Sequence, residues 1–318
     1  MNKEIPLIIN LRAGRRSRLA VALDNLLINF SDSIKSSYVP YKKITKLIAD
    51  SLAHEGLNVH VHVTNSSGDA TEITKDLVRK NERLIIVAGG DGTVNEVING
   101  MAGSDTRLGI IPLGSTNVLA IELGIPFSIQ AAVKVIREGH ARQIDLGRAD
   151  KRFFAMAAGM SFDAQAIKML SLVPGLKPFL GGLSFILSGM LVSLVYPFPL
   201  LEIESDDLPG RRSGYLAIIA NARFYGGPFL FAPGASIDDG LLDVVIMKRR
   251  RLWNLLKYMS LAKKGKLLQL PDVEHFQTRR LKVSSNPSVL IHTDAEIAGK
   301  TPCEFECVPR ALWVIVPR

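Results

Sequence analysis

A chain of 318 residues with 47% hydrophobic and 22% charged content is not a disordered or low-complexity protein, and it is long enough for two domains. Thirty-nine basic side chains against thirty acidic ones leave a net charge of +9, which points to an anionic partner: nucleotide, nucleic acid or acidic lipid. Only two cysteines occur, Cys303 and Cys307; their even spacing puts both on one strand face beside Phe305, and two free buried thiols in a reducing compartment are expected rather than a disulfide.

Residues 6–10 read as a first strand, and the opening MNKEIPLIIN is too short and too soon interrupted for a signal peptide. A turn at residues 11–14 leads to Arg15, Arg16 and Arg18 at the head of a helix. Positive charge there opposes the helix dipole, which suits either a nearby bound anion or a solvated basic face. A helix over residues 42–55 precedes a strand over 58–64, where Val59, Val61 and Val63 alternate with His60 and His62. No third ligand is evident, so the histidines are expected on the polar face of an edge strand. Residues 69–80 form the next helix.

The apolar run 84–88 has the length and β-branched content of a buried strand. It stops at Gly89 and Gly90, which permit backbone angles that other residues avoid. Asp91, Gly92 and Thr93 follow. Thr93 is expected to cap a helix, with Glu96 three residues on as a capping box requires. Such a turn leaves backbone N–H groups converging on one spot that favours an anion. Asp91 beside a polyphosphate would be repelled unless a divalent metal or a hydroxyl lay between; alternatively, Asp91 and Thr93 only cap. GxxxxGK[ST] and GxGxxG are both absent. A second turn, Leu113-Gly114-Ser115-Thr116-Asn117, joins a strand over 107–112 to a helix over 118–123, with Ser115 as the expected N-cap. Two adjacent turns of this kind make a crevice at the carboxyl edge of a parallel sheet. With a helix over 127–139, strand and helix alternate to about residue 140, implying a doubly wound α/β domain.

From residue 142 onward, period-two segments dominate, at 153–158, 200–204, 215–221, 281–284, 289–293 and 303–308, and suggest an antiparallel β-sandwich. Residues 183–196, LSFILSGMLVSLVY, are too short for a membrane span and read as buried core or as the wall of a pocket for acyl chains. Asp238 and Asp239 enter a turn at Gly240, which favours a hairpin when taken alone. Residues 247–266 carry eight basic side chains and no acid, with Leu252, Leu255, Leu256 and Met259 on one helical face. A basic amphipathic helix suits an anionic membrane surface; a packed helix with a solvated outer side is the alternative. Aromatic-basic interleaving is missing, so no nucleic-acid partner is expected. Near the end stands His292-Thr293-Asp294-Ala295-Glu296.

GGDGTVNEVING, PLGSTNVLA and APGASIDDGLLD together resemble the diacylglycerol kinase and sphingosine kinase superfamily, above all its bacterial soluble, YegS-like lipid kinases. The resemblance implies a Rossmann-like nucleotide-binding α/β domain over residues 1–141, with the last strand, 311–318, returning to it, and a β-sandwich lipid-substrate domain over 142–310. It implies transfer of the γ-phosphate of ATP to a lipid hydroxyl, with diacylglycerol first and a sphingoid base or ceramide close behind. Nucleotide contacts would fall to Asn10, Gly14, Thr64, Gly89, Gly90, Asp91, Gly92, Thr93, Asn95, Glu96, Gly114 and Ser115. Asp239 would hold Mg²⁺ with the main-chain carbonyls of Ser236 and Leu241. Glu296 would be the base that accepts the hydroxyl proton, coupled to Asp294 and Asp91. The expected setting is cytoplasmic, peripheral at the inner membrane face; monomer and homodimer stay open. Three positions depart from the family pattern: Leu11 for proline, Val118 for an acid and Ala295 for glycine. The last two motivate a non-catalytic lipid-binding alternative, and GGDGT alone would also fit an NAD-type kinase.

Overall fold

The computed structural model describes residues 4–10, 41–171 and 196–318. Gly14, the arginines after it, and all but the last residue of the 183–196 stretch lie outside the described residues. The described chain divides into two units. Residues 4–10, 41–144 and 310–318 form the first, and the described residues from 145 to 309 form the second.

In the first unit the order is β1 (Ile5–Asn10), α1 (Tyr41–His54), β2 (Val59–Thr64), α2 (Asp69–Arg79), β3 (Leu84–Gly89), α3 (Asp91–Met101), β4 (Arg107–Pro112), α4 (Val118–Glu122) and α5 (Ile129–Glu138). The strands pair in parallel in the order β2-β1-β3-β4. Leu7, Ile8, Ile85, Ile86 and Val87 are wholly buried, as expected of parallel strands covered on both faces. β2, at the sheet's edge, is less buried, and its sequence alternation does not sort cleanly into two faces: His60 and Val63 are exposed, whereas His62 is half-buried. Register lines up the carboxyl ends: Asn10 lies opposite Thr64, and Gly89 opposite Pro112. The glycine turns therefore leave the sheet at a common edge.

β5 (His140–Ala149) leads into the second unit, which adds β6 (Arg152–Phe154), β7 (Ala157–Met160), α6 (Phe162–Ser171), β8 (Leu201–Ser205), β9 (Arg211–Gly214), β10 (Leu216–Ala220), β11 (Phe224–Tyr225), β12 (Phe229–Leu230), β13 (Leu242–Met247), α7 (Leu252–Lys263), β14 (Val273–Thr278), β15 (Arg280–Ser285), β16 (Leu290–Thr293), β17 (Glu296–Lys300) and β18 (Cys303–Val316). An antiparallel sheet runs β14-β13-β10-β7-β16-β17, and a second layer runs β18-β15-β8-β9. Period two sets the core between them. Leu201 and Ile203 point inward while Glu202 and Glu204 face solvent, and Leu281, Val283 and Phe305 meet Ile219, Val244 and Ile246. Each such fully buried side chain contributes roughly 2 kcal/mol. Cys303 and Cys307 are free thiols against this core, and burial is the largest cause that pushes each up to about 12.

Two sequence readings are corrected. Residues 303–308 and 312–316 are not separate strands but one 14-residue strand. Its first half pairs antiparallel with β15, Cys303 opposite Val283, and its second half pairs parallel with β4, Trp313 opposite Arg107. The change of partner falls at Pro309, which has no N–H to give a ladder, and at Arg310, whose φ is 53°. In α7, the face expected from Leu252, Leu255, Leu256 and Met259 is only partly the buried one. Leu255 is buried and Met259 packs against the core, but the buried stripe is turned toward Tyr258 and Ala262 and leaves Leu256 outside, 39% exposed. Among the described residues no helix is long and apolar enough to cross a membrane.

Candidate functional site

In the first unit the two glycine turns are built as one device. Helix α3 starts at Asp91, with Gly90 at its N-cap, so the first-turn N–H groups of Asp91, Gly92 and Thr93 lack intrahelical acceptors. The glycines are required by contact rather than by unusual φ angles. A Cβ on Gly90 would stand 3.1 Å from the Gly114 Cα, and one on Gly114 would stand 2.6 Å from the Gly90 Cα. A Cβ on Gly89 would meet the Thr93 side chain at 2.7 Å. The backbones of the two turns touch where any larger residue would part them.

Asp91 locks this contact. One carboxylate oxygen accepts from Thr116 Oγ1 at 2.6 Å and from the Asn117 N–H at 2.9 Å, and the other accepts from the Val118 N–H at 2.6 Å. Asn117, in the left-handed region at φ 49°, closes the turn by accepting from the Gly114 N–H and donating to its carbonyl. It, not Ser115, is the N-cap of α4. The cavity between the turns, about 10 Å³ and lined by Gly89, Asp91 and Asn117 among others, holds about one water at most; the turns are packed together. Val118 N–H is satisfied by Asp91, and its side chain is 8% exposed.

The capping box is a further correction. Thr93 lies inside the first turn, buried, and its hydroxyl accepts from Asn10 Nδ2 at 3.0 Å. Glu96 caps a different helix: it accepts from Ala70 N–H at 3.2 Å and from Ser67 Oγ at 3.3 Å at the start of α2, where Gly68 has no side chain to offer. Asn95 is 2% exposed, within the fold. Thr64 is buried at the strand edge with its hydroxyl 3.5 Å from the Ile9 carbonyl. Asn10, Thr64, Gly89–Thr93 and Gly114 thus gather at one sheet edge; Gly14 lies outside the described residues.

The second unit carries the acids. Asp294 and Ala295 form the two-residue loop between β16 and β17, at φ 46° and 65°, a pattern of consecutive positive φ that belongs to a type I′ turn. Alanine takes this conformation at a cost glycine would avoid. Asp294 accepts from the N–H groups of Ala155 (2.8 Å), Met156 and Ala157 (3.1 Å each), so its carboxylate pins the stretch between β6 and β7. Glu296 forms an ion pair with Arg152.

Asp239 sits in an irregular stretch and not in a hairpin; only Gly240 of that turn has positive φ, 76°. Its carboxylate accepts from the Leu241 N–H at 3.0 Å. Burial is the largest influence and holds its carboxyl above the usual range, with the charges of Asp243, Asp145 and Asp238 acting the same way. Ser236 Oγ donates to Asp238, and Asp145 accepts from the Gly240 N–H. Among the described residues no three His, Cys, Asp or Glu side chains converge as a metal group. A partly buried carboxylate whose ionised form is disfavoured by burial and by neighbouring negative charge is a group that a hard cation would stabilise.

A third constellation escaped the sequence reading. Tyr225 Oη donates to Asp163 Oδ2 at 2.6 Å and lies 2.7 Å from His292 Nε2. Burial, with Asp163 close by, pushes the Tyr225 hydroxyl well up. Gly159 makes the room: a Cβ there would overlap all three groups. No local spacing links residues 163, 225 and 292.

Two family descriptions match the chain: the diacylglycerol kinase catalytic domain over residues 35–149, and the YegS C-terminal NAD kinase beta sandwich-like domain over 140–316. A diacylglycerol kinase of Bacillus subtilis is 32% identical over 283 residues, covering 87% of this chain and 92% of its own. One from Staphylococcus saprophyticus is 30% identical over 280 residues, covering 87% and 91%. A crystal structure from Bacillus anthracis shares the fold with a TM-score of 0.75 at 25% identity, over 98% of this chain and 97% of that one.

Proposed function

This chain belongs to the diacylglycerol kinase family, kinases that transfer phosphate to an alcohol acceptor, and we propose that it moves the γ-phosphate of ATP to the hydroxyl of a diacylglycerol-like lipid with the help of Mg²⁺. The observation that carries the reading is the glycine-turn pair locked by Asp91: two backbones in contact at a sheet edge, beside first-turn N–H groups of α3 that have no intrahelical acceptor. N–H groups of this kind bind phosphate oxygens, and their fixed placement supplies the positioning and charge stabilisation on which phosphoryl transfer depends.

The acids then divide their labour. The oxygens of Asp91 and Asp294 are taken up by backbone N–H groups of the fold, which makes both positioning residues. Glu296 is the proton acceptor for the attacking hydroxyl, and Arg152 orients its carboxylate. Asp239, with the main-chain carbonyls of Ser236 and Leu241, would hold Mg²⁺, a hard cation that would offset the negative charge of the oxygens around it. With the Val118 N–H serving Asp91, the turn keeps its shape without the family's acid at that position. The acceptor would be received by the β-sandwich unit.

The test is one transfer assay with γ-labelled ATP, run with total lipid extract, with NAD, and with no acceptor. Label in a lipid that co-migrates with phosphatidate supports the reading. Label in NADP, or none in any lipid, overturns it.

A further inference from the structure

Helix α7 has two faces of opposite character. At 100° per residue, Leu255, Tyr258 and Ala262 fall on the buried side. They pack with Leu216, Ile218, Val245 and Met247 on the outer face of the six-stranded sheet. On the other side, Trp253, Leu256, Lys257, Ser260 and Lys264 form one stripe, all exposed. Trp253 is 78% exposed, more than any other large exposed hydrophobic among the described residues. A bare indole next to a leucine in a ring of cations is not the surface of a helix that only packs.

Charge says what covers it. The segment from Lys248 to Lys266 contains eight basic residues and no acid. Acids near its base are already engaged: Glu274 pairs with Arg212 and Lys248, and Asp272 accepts from Tyr258. Arg250 is tied down over the Tyr215 ring. Arg251, Lys257, Lys264 and Lys266 are exposed. The arginines precede the N-terminus of α7, whose first turn has no acid and whose N-cap makes no side-chain bond; positive charge there destabilises a helix unless an anion joins it. A second copy of the chain meeting this face would bring like charges together. At 12 residues the helix is about 18 Å long, far short of the ~30 Å hydrocarbon core.

We propose that the outer face of α7 is a docking surface for an anionic lipid bilayer: Trp253 and Leu256 enter the headgroup–acyl boundary while Arg251, Lys257 and Lys264 meet lipid phosphates. The helix lies in the plane of the interface. The proposal deepens the lipid-kinase reading and rests on it for the purpose of the contact, because a kinase with a lipid acceptor must collect that acceptor from a membrane.

The experiment is vesicle co-sedimentation of the full chain without ATP, with phosphatidylglycerol–phosphatidylcholine vesicles or phosphatidylcholine alone, at low and high salt. Because no turnover is needed, failure here leaves transfer to detergent-dispersed acceptor intact, and failure of transfer leaves this result intact. Binding should require the anionic lipid and weaken with salt. Each cation near such a surface is worth roughly fivefold, so R251A/K257A/K264A should lose roughly hundredfold in affinity. Trp253→Ala should lose roughly tenfold. In the unmodified protein, lipids brominated at shallow depth should quench tryptophan emission, and Trp253→Phe, which retains Trp313, should abolish the quenching. Equal binding to neutral vesicles, unchanged affinity in the triple variant, quenching that survives Trp253→Phe, or capture by an oligonucleotide in place of vesicles would each overturn the proposal.

Discussion

Replacing Asp91 by asparagine tests the claim that this acid is a structural clasp between the two turns. The carboxylate accepts three bonds of 2.6–2.9 Å, and a hydrogen bond to a charged acceptor contributes roughly 1.5–3 kcal/mol. An asparagine keeps one oxygen and turns an NH₂ toward donors that already need an acceptor. The smallest possible loss is the Val118 bond together with the charge assistance in the other two, about 2 kcal/mol. If that loss appears as local opening, amide exchange at Asn117 and Val118 should accelerate roughly thirtyfold, while exchange in β3 stays as it was. Asp91→Ala should be worse, because two backbone N–H groups are then left without an acceptor. The assay is hydrogen exchange read by mass spectrometry on peptides spanning residues 113–120, without ATP. Unchanged exchange there in Asp91→Asn would refute the clasp and return Asp91 to a role played only toward a ligand.

Other consequences follow from the second unit. Ala295 at φ 65° carries left-handed strain of roughly 1–2 kcal/mol, partly offset in glycine by its extra unfolded-state entropy; Ala295→Gly should stabilise the sandwich unit by about 0.5–1 kcal/mol in urea unfolding. Asp239 has a carboxyl raised chiefly by burial, so its ionised form is penalised in the fold. That penalty is absent below the ordinary carboxylate range, grows through the window up to the raised value and is fully present above it. Without divalent cations, Asp239→Asn should therefore stabilise the protein near neutral pH and leave it unchanged in strong acid, and Mg²⁺ protection against unfolding should fall as pH drops through the same window. With both thiols held up to about 12, Cys303 and Cys307 should resist a disulfide reagent in the native protein and react on denaturation.

How much could be read beforehand depended on the range of the interaction. The buried parallel strands announce themselves in runs such as LIIVAG, and the outer layer in the alternation of LEIES, because periodicity is local. The glycine turns were legible as turns, but the reason for Gly90 was not: its neighbour is Gly114, and only the paired strands bring them together. Thr93 and Glu96 satisfied the spacing of a capping box, yet Glu96 found a better use 26 residues upstream at Ala70. Pro309 looked like the end of a strand and is instead the point where one strand changes partners. On α7 two interleaved apolar stripes were present, and Tyr258, not Leu256, won the core. The Asp163–Tyr225–His292 cluster joins three distant segments and leaves no local trace.

The central claim is that Glu296 accepts a proton from a lipid hydroxyl as it attacks ATP, and its most direct test is the steady-state rate of γ-phosphate transfer to diacylglycerol by the native protein and by Glu296→Gln. A general base contributes roughly 10²–10⁴-fold, so kcat should fall by at least about a hundredfold while the KM for ATP stays unchanged and the protein, although it has lost the charge partner of Arg152, remains folded at the assay temperature. A Glu296→Gln enzyme that turns over at the native rate would contradict the account.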